Sequence, residues 1–512
     1  MNRLTRKEWS SISFKLLCLV ACFYLFFPNA RLDFTDFNSH DSEGYLTLSY
    51  NMLHQGYYSF SFDENEYLPH MLWPPGMPII LSPAVYLSGD TLNFYLVKYT
   101  MILIGIVGIF AVRKLLIEFN LNRTKANIAA IFFALNPFYW HFSRISMAEV
   151  PIICWLLISL ILLSQLFSKD NLTYRRAIFA GAFAGFGMLI KGMMIGIAAV
   201  PLVLIFYRKL DVKKATSRYF VFMLIFIIPF AIWNLRNAQI DRTGLGFDGV
   251  NQIQMITKEV IEDPESPTKT VPQILQSVKE NFLWHAIYHI PNHTLPLIRI
   301  LDLKQTTFGN FVAIGLCVLI LLLSLRGPRL LTLSFLIMIA PIVLLILPMT
   351  IGGAERYWFN ITTFIGLLLF IGFLQLSNAS IKRLLIPSLF ILQIVSLSLY
   401  IVKLEKDPYS HTDYRNELVQ VFDYLSDFCA EQPVDIYTGN AYSLALTTNC
   451  TSARINIRRG LNPSFDYIVK EKQNIDDLPP YKVLFETENL AFVHLASPIT
   501  GKEIMEQHNA SH

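Results

Sequence analysis

Eleven apolar runs divide this chain, and a sequence built that way cannot close around one soluble core. They are Ser11 to Pro28, Leu92 to Val112, Ala126 to His141, Val150 to Phe167, Ala177 to Ile190, Met193 to Tyr207, Tyr219 to Leu235, Phe308 to Leu325, Leu330 to Pro348, Tyr357 to Gln375 and Leu384 to Val402. A bilayer core about 30 Å thick takes roughly 17 to 25 helical residues, so most of these runs can cross it and a few fall short. Composition agrees. Of 512 residues 53% are hydrophobic and 16% charged, with a mean hydropathy of +0.43, against about 25% charged in soluble domains. The fold class this predicts is a polytopic α-helical membrane protein with about 11 transmembrane helices. Met77 to Leu87 is too short to cross and follows Pro74-Pro75, so it reads as an interfacial or re-entrant helix. Counting it as a crossing would invert everything after it.

Lysine and arginine set the orientation, because they accumulate on the cytoplasmic side. Arg3, Arg6, Lys7 and Lys15 precede or open the first run; Arg113, Lys114, Arg123 and Lys125, then Lys169, Arg175 and Arg176, then Arg208, Lys209, Lys213, Lys214 and Arg218, then Arg326 and Arg329, then Lys382 and Arg383 fill alternate connections. The amino terminus is therefore expected in the cytoplasm, with the first run retained as a span rather than cleaved as a signal peptide. Eleven crossings put everything after Val402 outside. The expected organisation is a membrane domain over 1–402, with a first outer loop at 29–91 and a large one at 236–307, followed by an extracytoplasmic domain at 403–512. In that tail the apolar runs shrink to strand length at Val434–Tyr437, Phe465–Val469 and Val483–Phe485 after a helix-like Asn416 to Phe428, which predicts a small α/β fold. Cys429 and Cys450 lie there and could pair; none of the six cysteines has metal-ligand spacing. The net charge of +4 is distributed by membrane side, so nucleic acid is not an expected partner.

The first outer loop is acidic. Asp33, Asp36, Asp41, Glu43, Asp63, Glu64, Glu66 and Asp90 face a single cation, Arg31. Further charged residues fall at the outer ends of runs far apart in sequence: Arg144, Glu149, Lys191, Arg236, Glu355 and Arg356. Ionisable groups at membrane depth are expensive, which makes them functional candidates. Cations gathered there suit a phosphate, and carboxylates suit activation of a hydroxyl or positioning of a cation. Each has a plainer reading as well. Asp41 heads a stretch with Tyr45, Leu48 and Met52 three and four apart, where an aspartate also serves as an N-cap. Glu149, before Pro151, suits a helix start, while Arg144 and Lys191 have stems long enough to snorkel. Arg356-Tyr357 follows Gly352-Gly353 and could be an interfacial belt pair. His285, His289 and His293 are spaced by four, as metal ligands on a helix would be, yet Pro291 interrupts the register.

Taken together, Asp41-x-x-x-Tyr45, the Pro74-Pro75 pair, the Arg144 to Glu149 segment, Lys191-Gly192 and Arg356-Tyr357 resemble the polyprenyl-phosphate-sugar glycosyltransferases of the membrane-embedded C fold, GT-C. That group holds the protein O-mannosyltransferases and the bacterial aminoarabinose transferase acting on lipid A. The resemblance covers the membrane part, not the tail. It implies transfer of a hexose or pentose from a polyprenyl-phosphate donor to a lipid, glycan or protein acceptor at the outer face of an inner (plasma) membrane, with inversion. It also implies roles: Asp41 as general base; Arg356, Lys191 and Arg144 on the donor phosphate; Glu43, Tyr45, Glu149 and Tyr357 positioning the acceptor or a cation. No cofactor is required by it, and a divalent metal, with His285 and His289 as candidates, is left open. The chain departs from the pattern in two places. Ser42 stands where many relatives carry a second acid, with Glu43 one place later, and Trp73 stands where the aminoarabinose enzymes carry a lysine.

Two rival readings share the gross pattern. An O-antigen polymerase or ligase would also combine many spans, a large outer loop and a lipid-linked donor. A transporter would bury charges near the bilayer midplane, often in two related halves. This chain has few central charges, with Lys98 expected near an outer end, and no evident half-repeat.

Overall fold

The computed structural model describes residues 5–26, 40–60, 69–89, 92–168, 171–240, 254–259, 266–282, 287–294, 315, 318–349, 355–406, 412–431, 436–438, 464–471, 480–487 and 490–500. The helices among them are α1 (Arg6–Phe26), α2 (His40–His54), α3 (Gly76–Ser88), α4 (Phe94–Glu118), α5 (Arg123–Ala134), α6 (Pro137–Phe142), α7 (Glu149–Leu166) and α8 (Tyr174–Ile190). A 3-10 segment, Gly192–Ala199, leads into α9 (Val200–Tyr207), followed by α10 (Val212–Ala238), α11 (Gln254–Thr257), α12 (Val271–Glu280), α13 (Ile287–Thr294), α14 (Arg329–Ile346), α15 (Glu355–Gln375), α16 (Ala379–Lys406) and α17 (Thr412–Glu431). Among the described residues seven helices, α1, α4, α7, α10, α14, α15 and α16, are long and apolar enough to cross a membrane. The chain is a multi-pass membrane protein.

The remaining four predicted runs differ in how they appear among the described residues. Ala126 to His141, expected as one crossing, is broken into α5 and α6. A proline disfavours the helical conformation one residue back, and Asn136, just before Pro137, instead caps α6 by accepting from the amides of Phe138 (2.9 Å) and Tyr139 (3.2 Å). Ala177 to Ile190 is α8, and Met193 to Tyr207 starts as 3-10 helix before becoming α9. Phe308 to Leu325 lies only partly within the described residues, where 318–324 are helical. Lys98, expected near a span end, is buried one turn into α4. Part of the large outer loop is not purely soluble in character. α12 exposes Val271 and Leu275, with Phe282 just beyond it. Asn281 ties this stretch to the end of α14 by donating to the carbonyls of Leu347 (2.7 Å) and Met349 (2.9 Å).

Close packing follows small residues. Gly181 and Gly185 lie one turn apart on α8, and a Cβ built on them would stand 2.7 Å from the Phe222 carbonyl oxygen and 2.8 Å from that of Phe226. Backbone therefore meets side-chain-free backbone along the α8–α10 seam, the small-xxx-small device by which membrane helices gain dispersion contact without a hydrophobic driving force. The seam matters because α10 is otherwise largely exposed.

The tail forms its own small core. α17 packs Val421, Phe422, Leu425 and Cys429 against Ile436, Val469, Leu490 and Phe492 of a four-stranded sheet. The strands are β1 (Ile436–Thr438), β2 (Ser464–Glu471), β3 (Tyr481–Glu486) and β4 (Leu490–Thr500), in the order β1-β2-β4-β3, with β1 and β2 parallel and the other pairs antiparallel. Three strands stand where the sequence puts them. β4, an inner strand, has no period-two alternation and contains Pro498, so its pattern gives no signal. Cys429 is disulfide-bonded, while Cys450 lies outside the described residues.

Replacing Gly185 by valine should separate α8 from α10 and destabilise the chain by about 1–3 kcal/mol, the usual range for overpacking. A lowered thermal midpoint in detergent is the expected measurement; an unchanged midpoint would mean the seam is not close-packed.

Candidate functional site

Helix ends from four parts of the chain meet at one face of the bundle, and the charged residues sit on those ends. Asp41 lies in the first turn of α2, Glu149 opens α7, Lys191 closes α8, and Arg356 is the second residue of α15. Local sequence fixes each position. Pro151 fits the first turn of α7, where a missing amide donor does no harm. Lys191 is the single extended residue (φ −160°, ψ 135°) between α8 and the 3-10 segment; its amide donates to Gly187 and its carbonyl accepts from Met194, each at 3.1 Å. Gly76, at the start of α3, permits a close approach to that turn, since a Cβ there would stand 2.4 Å from the Ile190 nitrogen.

Two ion pairs result. Arg356 Nη1 donates to Asp41 Oδ2. Lys191 Nζ donates to Glu149 Oε1 at 2.6 Å. The Tyr357 ring joins them, with its centroid 4.8 Å from Lys191 Nζ and 5.5 Å from Arg356 Cζ, within cation–π range of both. Glu149 is buried at 2% exposure and Lys191 at 15%, whereas Asp41 and Arg356 retain 23% and 26%. Among the described residues Glu149 Oε2 and, one turn below Arg356, Asn360 Oδ1 are buried without a hydrogen-bond partner. Asn360 Nδ2 rests on Met193 Sδ at 3.3 Å.

Burial raises the Asp41 carboxyl above the usual carboxylate range; Arg356 and Lys191 oppose the rise and Glu149 adds to it. The Tyr45 hydroxyl, one turn on, is pushed far up by burial and by the charges of Asp41 and Glu149, so it stays a neutral donor. A carboxylate that binds a proton more readily than usual, beside two cations, can take a proton from a hydroxyl while an anion is held next to it.

Aromatic residues form one wall. Trp73 packs on Tyr45 (centroids 4.8 Å apart), Phe60 (5.4 Å) and His70 (5.3 Å). Gly44 makes room for it, because a Cβ there would lie 2.2 Å from the indole. Tyr58 Oη donates to the Trp73 carbonyl at 2.9 Å. The end of α10 holds the same loop: Arg236 donates to the His70 carbonyl at 2.6 Å and Asn237 to that of Met71 at 3.0 Å.

Of the residues singled out from sequence, Asp41, Tyr45, Glu149, Lys191, Arg356 and Tyr357 come together. Glu43 is buried on α2. Arg144 stacks over Trp140, its Cζ 3.3 Å from the ring. His289 stacks on His293 (5.5 Å), and His293 Nδ1 is 2.8 Å from Thr362 Oγ1. Among the described residues no three His, Cys, Asp or Glu side chains are grouped as a metal site would need; His285 and the Glu355 side chain fall outside them. Sequence reasoning missed Asn360, although an asparagine inside an apolar span is a legible signal. It also missed the fit of Trp73 to Gly44, for which no local signal exists.

The buried pair predicts a measurable coupling. Glu149→Leu should strand the Lys191 ammonium and cost about 3 kcal/mol, the low end of the range for breaking a buried pair. Adding Lys191→Met should recover most of it in a double-mutant cycle read by thermal unfolding. Additive losses would mean that the two side chains do not interact.

Comparison with known proteins bears on the fold that carries this site. The family model described as dolichyl-phosphate-mannose-protein mannosyltransferase matches residues 73–233, a stretch that begins at Trp73 and includes Arg144, Glu149 and Lys191. The structure superposes on ArnT from Cupriavidus metallidurans bound to undecaprenyl phosphate with a TM-score of 0.55 and 13% identity, over 96% of this chain and 98% of that one. Against ArnT from the same organism in the apo state the values are 0.54 and 12%, over 95% and 98%. No curated protein matches the sequence. At such low identity the agreement is one of architecture, and the chain has the membrane-embedded C fold of the glycosyltransferases.

Proposed function

We propose that this chain is a membrane glycosyltransferase that moves a sugar from a polyprenyl-phosphate-linked donor to a lipid, glycan or protein acceptor. The observation that carries the reading is the Asp41–Arg356 pair beside the Glu149–Lys191 pair at one membrane face. Carboxylates able to take a proton and cations suited to a phosphate stand side by side there, which supports the reading. The partial family match and the fold shared with ArnT, a protein solved with undecaprenyl phosphate, support it. In this reading the membrane part, 1–402, carries the chemistry, and 403–512 forms a separate domain over the same face.

The reaction is a single in-line displacement at the anomeric carbon of a hexose or pentose, with inversion. Asp41 takes the proton of the acceptor hydroxyl. Arg356 and Lys191 neutralise the charge that grows on the departing phosphate, the kind of stabilisation realised most fully in the transition state. Tyr45, Tyr357, Glu43 and Glu149 position the acceptor or the cations, and Arg144, stacked on Trp140, serves the donor from further off. The site faces the extracytoplasmic side of an inner membrane, with the amino terminus in the cytoplasm. The basic alternate connections support that orientation, as does the Cys429 disulfide in the tail, since such bonds persist in oxidising compartments.

Incubation of purified protein with a panel of polyprenyl-monophosphate sugars should release lipid phosphate from one of them. Asp41→Asn should lower that turnover by about 10²- to 10⁴-fold, and retention of more than about a tenth would contradict the base role. The base must be unprotonated to work and its carboxyl is held high. Activity should therefore rise with pH along an acid limb lying above about pH 4, the ordinary aspartate value. The limb should vanish from the residual rate of Asp41→Asn.

A further inference from the structure

The two ion pairs at the site are not equivalent. Glu149 and Lys191 are the enclosed pair, at 2% and 15% exposure, while Asp41 and Arg356, at 23% and 26%, lie at the open side. Two carboxylates and two cations also cancel. A phosphate entering this cluster therefore meets no unpaired cation among these four groups and competes with a carboxylate for each cation it binds.

The chemistry of the two cations decides which one moves. Stripping a buried carboxylate of its partner is costly, whereas opening a partly exposed pair is much cheaper. Lys191 has no need to leave Glu149, because an ammonium carries three donors and the Glu149 bond uses one. Arg356 offers a planar fork that fits two phosphate oxygens at once, and it is held by the carboxylate that the reaction needs free.

We propose that the donor is recognised by ion-pair exchange: its phosphate takes Arg356 from Asp41 while Lys191 stays on Glu149, and the carboxylate so released becomes the base. This inference rests on the glycosyl-transfer reading and adds an order to it. Without donor, Asp41 is paired with Arg356 and is a weaker base for it, so the acceptor reacts only after the donor has bound. The anomeric carbon–oxygen bond to the phosphate then breaks with its electron pair going to the phosphate oxygen. The acceptor oxygen bonds to that carbon and its proton passes to Asp41. The lipid phosphate leaves one charge more negative than it arrived and holds Arg356 until it dissociates, after which Asp41 gives up its proton to water and the pair re-forms. Such a site is inhibited by its own lipid product.

The test is binding without turnover. Undecaprenyl phosphate is titrated into the full chain in nanodiscs, with equilibrium binding of radiolabelled lipid as the readout and thermal unfolding as a check on each variant. Wild type should bind; Asp41→Asn should bind about 2- to 5-fold tighter, since the competing carboxylate is gone, even though it is the variant that loses turnover. Asp41→Ala should tighten as well. Arg356→Gln should weaken binding, and in that background Asp41→Asn should no longer tighten it. Equal or weaker binding by both Asp41 variants, with wild type binding normally, would overturn the exchange and leave glycosyl transfer standing. So would tightening that persists undiminished without Arg356, which would be a general field effect. Failure of wild type to bind the lipid at all would remove the glycosyl-transfer reading itself.

Discussion

Charge neutralisation at the membrane face is the constraint on which this site depends. An isolated carboxylate or ammonium in such surroundings is held at a cost of several kcal/mol, and mutual attraction offsets that cost only when geometry is good. The chain meets the requirement with partners from distant segments: Asp41 with Arg356, and Glu149 with Lys191. The first pair ties together helices far apart in the chain, and the second closes the far end of the consecutive α7 and α8. The ends of α2, α7, α8 and α15 are thereby set relative to one another by the same groups that are available for chemistry.

Much of this was readable from residues alone. The apolar runs gave the class of fold because a bilayer imposes a length on every crossing, and among the described residues seven of the eleven appear as helices of spanning length. The ionisable residues at run ends were conspicuous because they are costly there. Their convergence was only an inference from sidedness. Nothing local in the sequence says that Asp41 meets Arg356, 315 residues later, or that Glu149 chooses Lys191. Pairing is a property of packing, and packing is decided by contacts such as those at Gly181 and Gly185, where the signal is an absence of side chain.

Other features were hidden for identifiable reasons. The break at Asn136-Pro137 was masked by the hydrophobicity around it, although the dipeptide itself disfavours a continuous helix. Asn136 also reaches across to the His293 carbonyl at 2.9 Å, so the break doubles as a joint to α13. β4 was missed because an inner strand covered on both faces need not alternate. In the large outer loop, the polar average concealed α12, whose apolar side emerges only when the helix is drawn.

Trp73 occupies the hollow left by the missing side chain of Gly44, and its backbone is held by Tyr58 while the loop just before it is clasped from the end of α10. The indole is thus a spacer wedged between the acidic helix and the proline-led segment, and its thickness sets how far those two elements stand apart. The separation of those elements is thus set by an uncharged side chain, so a change at residue 73 would shift α2 against the start of α3 while the two ion pairs keep their own partners.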